Sequence, residues 1–242
     1  MNFLMQVRYG ILDVGHEPLE IYIHESKVTL KKISEKVLKY MRFSEGVLKR
    51  EVLISGGDVA LYPFTVGKED EVLTRFVYLR FKESVSLAPG SSIRVYAKVP
   101  VSMGFYGISG GKFGLIDIVR HENIKYGVYG PISGGILAKY FKVYPRRFID
   151  KVLLGEIVYT LSLENDSGLW IDVSKVVVPM TDTKVFIRGH EAYTEIIHVI
   201  IKSKLRAVIE LSNEPPISGL QELPTLPKSA LKSVSFRMEW GV

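Results

Sequence analysis

The sequence contains no cysteine among its 242 residues. Disulfides, thiolate zinc sites, iron–sulfur clusters and cysteine nucleophiles are therefore excluded together. Amide side chains are also scarce, with four asparagines and two glutamines. Because cysteine and amide side chains degrade thermally, this composition favours a thermophilic protein.

Long apolar runs are absent too. No stretch approaches the roughly 20 apolar residues that a membrane helix needs. The segment Met1 to Tyr9 carries Arg8 and lacks a small-residue cleavage pattern, so we expect no signal peptide. With 47% hydrophobic residues the chain is too apolar for general disorder. We expect a soluble, cytoplasmic protein without a membrane span.

Cations outnumber anions, and the formal net charge is +6. Such an excess is typical of proteins with an anionic partner such as nucleic acid. The alternative is a lysine-rich solvated surface that keeps sheet edges unpaired. The second interpretation is favoured, because the charge is spread along the chain.

Turn signals are the most prominent pattern in the sequence. Ile-Ser-Gly-Gly occurs three times, at residues 54–57, 108–111 and 132–135, between runs rich in Val, Ile, Tyr and Phe. Ser-Gly and Gly-Gly mark tight reversals, and the flanking residue types suit a pleated, half-buried surface. The sequence therefore predicts an all-β, antiparallel β-sandwich architecture in two sandwich-like halves, with at most one or two short helices.

Twelve runs are predicted as strands from their composition, from their alternation and from the turns between them. Ile33 to Phe43 stays open between a short helix and a strand, since its apolar residues fall at helical spacing. Asn165 to Gly168 is predicted as a reversal between two strands. The predicted strands are Leu19–His24, Val47–Ile54, Thr74–Phe81, Ser92–Val99, Gly114–Val119, Gly135–Tyr144, Glu156–Leu163, Leu169–Val178, Lys184–Arg188, Tyr193–Ile201, Leu205–Leu211 and Val234–Trp240.

A joint is predicted near residue 150. A basic stretch, Tyr144-Pro145-Arg146-Arg147, precedes it, and a fresh series of strands follows. The chain is therefore divided into an N-terminal β-rich domain, 1–149, and a C-terminal sandwich-like domain, 150–242. A proline-rich connector from Pro215 to Pro227 leads to the last predicted strand.

Glycine turns gathered at one rim of a sheet can offer backbone N–H groups to an anion. In a meander, the second and third Ile-Ser-Gly-Gly turns would lie at the same end of the sheet. Their ordinary interpretation as hairpin turns is favoured, because no phosphate-loop or Gly-x-Gly pattern is present. The candidate ligand-binding residues are Ser109, Gly110, Gly111, Ser133, Gly134 and Gly135.

One dense polar cluster could bind a metal for a hydrolase. Its members are His190, Glu191, Glu195 and His198. Glu-x-x-His on a helix is half of a di-iron carboxylate site, and the second half is missing from this chain. The β-branched surroundings favour a strand, on which Glu195 and His198 diverge.

Aromatic and basic residues alternate over a further stretch. On a strand, Tyr140, Lys142 and Tyr144 share one face while Lys139, Phe141 and Val143 share the other. Aromatic platforms interleaved with cations hold single-stranded nucleic acid on sheets. The candidate nucleic-acid-binding residues are Lys139, Tyr140, Lys142, Tyr144, Arg146 and Arg147.

A series of short motifs resembles an archaeal family known only as a domain of unknown function. The likeness covers roughly residues 5 to 180, and it departs from the family in the extra glycines Gly110-Gly111. It implies an archaeal origin and carries over no catalytic residue. The motifs are Leu61-Tyr62-Pro63, Val77-Tyr78-Leu79-Arg80-Phe81, Ala88 to Val95, Pro100 to Phe105, Ile116-Asp117, Gly135 to Tyr140 and, most specific, Lys125-Tyr126-Gly127-Val128-Tyr129-Gly130.

Strong β-patterning without a coherent reactive cluster favours a non-enzymatic binding or assembly module. Its partner would be another protein or a second copy of the chain, and no cofactor is indicated. A nucleic-acid-binding protein and a metal-dependent hydrolase remain the alternatives.

Overall fold

The computed structural model describes residues 7–55, 58–65, 73–121, 123–131 and 133–227. Within these ranges the chain forms strands and no helix. The strands are β1 (Gly10–Ile11), β2 (Leu19–Ile23), β3 (Ser26–Ser34), β4 (Val37–Ser44), β5 (Val47–Ser55), β6 (Asp58–Phe64), β7 (Phe76–Leu87), β8 (Ser92–Pro100), β9 (Ser102–Ser109), β10 (Lys112–Val119), β11 (Lys125–Tyr129), β12 (Ile136–Val143), β13 (Glu156–Asn165), β14 (Ile171–Pro179), β15 (Val185–Arg188), β16 (Glu191–Ser203), β17 (Arg206–Leu211) and β18 (Gln221–Glu222).

These strands form four sheets. Sheet A has the order β1-β6-β9-β10, and sheet B the order β2-β3-β4-β5. Sheet C has the order β11-β12-β7-β14, and sheet D the order β18-β15-β16-β13-β8, with β17 also paired to β16. Most ladders are antiparallel, but β7 with β12 and β13 with β16 run parallel. The predicted all-β, sandwich-like fold is confirmed.

The segment Ile33 to Phe43, predicted as either a short helix or a strand, lies in a β-hairpin. Strand β3 ends at Ser34, a turn covers Glu35 and Lys36, and β4 begins at Val37. Every residue pair along β3 and β4 lies in one antiparallel ladder, apart from a bulge after Lys32. Cross-strand pairing therefore overrides the helical spacing of the apolar residues. The predicted strand Val234–Trp240 lies outside the described residues.

The predicted reversal at Asn165 to Gly168 is present, but it does not make a hairpin. Strand β13 belongs to sheet D, whereas β14, which follows the turn, pairs with β7 in sheet C. Buried Asn165 holds this crossing. Its amide nitrogen donates to the carbonyls of Leu87, Ala88 and Leu169, at 3.0, 3.0 and 2.6 Å. Its side-chain oxygen accepts from Ser167 N and Oγ.

One continuous hydrophobic core contains residues of all four sheets. It includes Phe105 of sheet A, Leu30 of sheet B, Leu79 of sheet C and Leu161 of sheet D. Ladders β7–β14 and β8–β13 join strands from both sides of residue 150. The division into domains 1–149 and 150–242 stays a proposal.

Buried polar groups fix the sheets against one another. Asp117 of β10 accepts hydrogen bonds from Tyr40 Oη at 2.8 Å and Arg42 Nε at 2.7 Å, which links sheet A to sheet B. His24 stacks on His121 with ring centroids 5.2 Å apart, and its Nε2 lies 3.0 Å from Val101 O. Burial lowers the pKa of His24, so its ring is neutral near pH 7.

Candidate nucleic-acid interface

Sheet C has one face in the core and one face in solvent. Alternation along β7 sends Val77 and Leu79 into the core and leaves Arg80 and Lys82 exposed. Along β12 it buries Val143 and exposes Lys142. We call the solvent side the basic face. Its basic and aromatic members are Tyr78, Arg80, Lys82, Lys125, Tyr129, Tyr140, Lys142, Tyr144 and Lys175. Ser86 and Asp172 lie on the same side, further along β7 and β14.

Three cations lie side by side across the basic face. Lys142 of β12 is the register partner of Arg80 of β7, and Arg80 is the register partner of Lys175 of β14. Like charges directly opposite one another destabilise a sheet. In the part of the chain that the structure describes, none of the five basic-face cations forms an ion pair. Among the described residues, the face therefore concentrates positive charge without acidic partners for these five cations.

Three tyrosines form a cluster beside this row. The Tyr78 ring lies edge-to-face against Tyr140 at 5.3 Å and against Tyr129 at 5.5 Å. Both rings pack closely over Gly127, where a Cβ would be in van der Waals contact with Tyr140 and Tyr78 at 3.4 Å. Burial raises the pKa of Tyr78, so its phenol stays neutral. The cluster provides an apolar support with hydroxyl groups rather than negative charge.

Two lysines of the face contact aromatic rings. Lys82 Nζ lies 4.1 Å from the ring centroid of Tyr144, and Lys175 Nζ lies 5.5 Å from that of Tyr129. Attraction of an ammonium group to an aromatic face is worth about 0.5–1 kcal/mol at exposed sites. The rings therefore hold these two cations close to the sheet surface, where a bound anion would meet them.

The residues predicted from the sequence to bind nucleic acid lie in different surroundings. Tyr140, Lys142 and Tyr144 lie on the basic face, as the alternation predicts. Lys139 points to the opposite side and is 3% exposed. It lines a small cavity, about 20 Å³, together with His121. That volume holds about one water molecule, so the cavity is too small for an organic ligand.

The two arginines beyond β12 are both exposed. Arg146 lies 3.3 Å from Asp150 through Nη1, and its backbone pairs with Tyr96 of β8. Arg147 follows without an ion pair among the described residues. Of these two arginines, only Arg147 has a guanidinium group that is not paired with a carboxylate among the described residues.

The glycine turns lie in different sheets. Ser109, Gly110 and Gly111 close the β9–β10 hairpin of sheet A, with φ of +56° at Gly110 and +75° at Gly111. Ser133, Gly134 and Gly135 precede β12 in sheet C. The expected meander is wrong, because β10 and β11 do not pair. The first turn borders an open groove with Glu35, Lys36 and Asp58.

Three of the four candidate metal ligands have separate partners, and the fourth, His198, lies opposite Ser162 and Glu210 in sheet D. Glu195 is fully buried and accepts hydrogen bonds from the backbone N–H groups of Lys184 and Asn213. Glu191 pairs with Arg188 at 3.0 Å, and His190 Nε2 lies 3.0 Å from Val152 O. Across the described ranges, no three His, Asp or Glu side chains are grouped for a metal. Glu195 instead connects β16 to two neighbouring segments.

Six of the nine basic-face residues were not among the candidates predicted from the sequence. Alternation along β7 puts Tyr78 and Arg80 on one face, but their relation to Tyr140 and Lys142 depends on the parallel β7–β12 ladder. Parallel strands are joined by long connections, and no local turn marks their pairing. Lys175 enters the face through a ladder between strands far apart in the chain. Lys125 and Tyr129 enter it through the β11–β12 hairpin, whose Ser-Gly-Gly turn is visible in the sequence although β11 was not predicted as a strand.

Fold and site together define an all-β protein with an exposed, basic, tyrosine-rich sheet face. The chain belongs to the family described as "Protein of unknown function (DUF432)", whose model matches residues 8–239. Comparison with curated proteins and with solved structures gives no match. Among the residues described, no helix has the length and apolar character needed to cross a membrane.

Proposed function

We propose that this protein is a non-enzymatic binding module whose basic face binds the phosphate backbone of a nucleic acid. The observation that carries the proposal is the row Lys142, Arg80 and Lys175, three register-paired cations without an ion-pair partner among the described residues. Such a row lowers the stability of the free protein. A polyanion on this face would remove that repulsion.

The composition of the face supports binding rather than catalysis. The charged groups at and around the row are lysines and an arginine, which act as fixed phosphate partners at neutral pH. The burial-raised pKa of Tyr78 keeps that phenol a neutral hydrogen-bonding group. Cations and phenols of this kind position a phosphate backbone without supplying a general base.

Binding of fluorescently labelled oligonucleotides, measured by anisotropy at low salt, tests the proposal. The test variant replaces the row, as Arg80→Gln, Lys142→Gln and Lys175→Gln. A matched control replaces three exposed lysines on other surfaces, as Lys31→Gln, Lys49→Gln and Lys204→Gln. Both variants lose three charges, so a loss confined to the first one localises binding. Equal losses, or no binding by the wild-type protein, refute the proposal.

Scarce cysteine and amides, together with the family resemblance, support the further proposal of a thermophilic, archaeal and cytoplasmic protein. Domains from mesophiles unfold at about 45–65 °C. A wild-type midpoint inside that range, measured by circular dichroism, would contradict a thermophilic origin. Ligand binding at the glycine turns, a metal site at His190 to His198 and assembly with other chains stay predictions, which elemental analysis and light scattering can test.

A further inference from the structure

One large aromatic side chain beyond β12 is almost fully exposed. Phe148 presents 81% of its surface to solvent. Burying a Phe side chain stabilises a fold relative to leaving the ring in water. The fold does not obtain this stabilisation at Phe148, so the ring is available to a ligand.

The backbone before Phe148 is fixed rather than loose. Arg146 N donates to Tyr96 O at 2.9 Å, and Tyr96 N donates to Arg146 O at 2.8 Å. The Arg146–Asp150 ion pair spans Phe148 within the same segment. Phe148 is four residues beyond Tyr144 of the basic face, which limits their Cα separation to about 14 Å. The exposed ring is therefore anchored close to one end of that face.

Tyr144 offers a second accessible ring, since it is 49% exposed. Tyr78, by contrast, is 9% exposed within the tyrosine cluster and has little surface left for a base. Positive charge accompanies both accessible rings, through Lys82 on Tyr144 and through Arg147 beside Phe148. Aromatic rings next to cations are what an unpaired base and its phosphate require.

We infer that Phe148 and Tyr144 are stacking platforms for unpaired bases, so that the ligand of the basic face is a single strand. This inference rests on the proposed function and adds to it the class of nucleic acid. The bases of a duplex are already stacked on each other and cannot cover a protein ring without being flipped out. Phosphate contacts alone would not discriminate between single and double strands in this way.

The decisive probe is a pair of labelled single strands of equal length, oligo-dT and its abasic counterpart. Both carry the same phosphates, and only the first carries bases. We expect the wild-type protein to bind oligo-dT more tightly, by about 5- to 150-fold for each stacked base. Phe148→Ala should remove the contribution of one stacked base, about 5- to 150-fold, while leaving the affinity for the abasic strand unchanged.

Phe148→Trp provides the second variant, because a larger ring should retain binding. Its fluorescence should be quenched by oligo-dT and not by the abasic strand. Equal wild-type affinity for both strands, unchanged oligo-dT affinity in Phe148→Ala, or equally tight binding of a duplex overturns the single-strand inference and leaves the phosphate-binding proposal intact. Failure to bind either strand overturns both.

Discussion

Replacing the cation row should change salt dependence and stability in opposite directions. Each phosphate neutralised on a single strand contributes about −0.7 to the slope of log affinity against log salt concentration. Five basic-face cations therefore predict a slope of about −3.5 for the wild-type protein and about −1.4 for the variant that replaces Arg80, Lys142 and Lys175. Between about 50 and 200 mM salt, wild-type affinity should fall by about 100-fold and variant affinity by less than about 10-fold.

The same variant should be the more stable protein. Like-charge cross-strand pairs cost about 0.2–1 kcal/mol each, and the row contains two of them. We expect urea unfolding at low salt to show a gain of about 1 kcal/mol, and we expect added salt to diminish it, since screening weakens repulsion. The control variant at Lys31, Lys49 and Lys204 should keep the wild-type slope. A variant that loses stability, or a slope unchanged by the substitutions, refutes the role given to the row.

Three further predictions concern buried polar groups. Asn165→Ala should lower the free energy of unfolding by about 3 kcal/mol in urea titrations, because three carbonyl groups lose their donor; a loss below about 1 kcal/mol would contradict this. Tyr106→Phe should raise the free energy of unfolding by about 1 kcal/mol, because the buried Tyr106 hydroxyl has no hydrogen-bond partner among the described residues. A lower free energy of unfolding in this variant would show that the hydroxyl does have a partner. The lowered pKa of His24 means that the unfolded chain takes up the proton first, so stability should decline as the pH falls below about 6.5. His24→Gln should flatten that part of the pH profile, and an unchanged profile would show that His24 does not cause the loss of stability.

The sequence predicted strands best where alternation and β-branched residues coincide. Ser92–Pro100 and Glu156–Asn165 are examples, and both were expected almost to their ends. Strand β9 was not expected, since Gly104 and Gly107 interrupt it and glycine is weak in strands. Gly104 nevertheless belongs there, because a Cβ would lie 2.6 Å from the ring of Tyr106. Gly104 therefore weakens the strand pattern of β9 in the sequence, and the same residue leaves the space in which the Tyr106 ring packs.

A third of the candidate site was predictable from a local pattern of the same kind. A period of two places Tyr140, Lys142 and Tyr144 on one face without any knowledge of neighbouring strands. The same period turns Lys139 inward, and its burial agrees with this alternation. Partners from β7 and β14 could not be predicted, because their ladders depend on packing between segments far apart in the chain. Strand β11 pairs with β12 across the Ser-Gly-Gly turn and was missed only because it was not predicted as a strand.

The order of strands in sheet C governs when the protein becomes able to bind during synthesis. Arg80, Lys142 and Lys175 are made in succession, with the complete strands β8 to β11 intervening between the first two. A chain still growing on the ribosome has no complete row until β14 has emerged and paired with β7. Pairing between distant segments is slow compared with hairpin closure. Affinity for a polyanion is thus a property acquired late, and no isolated fragment that ends before β14 should possess it in full.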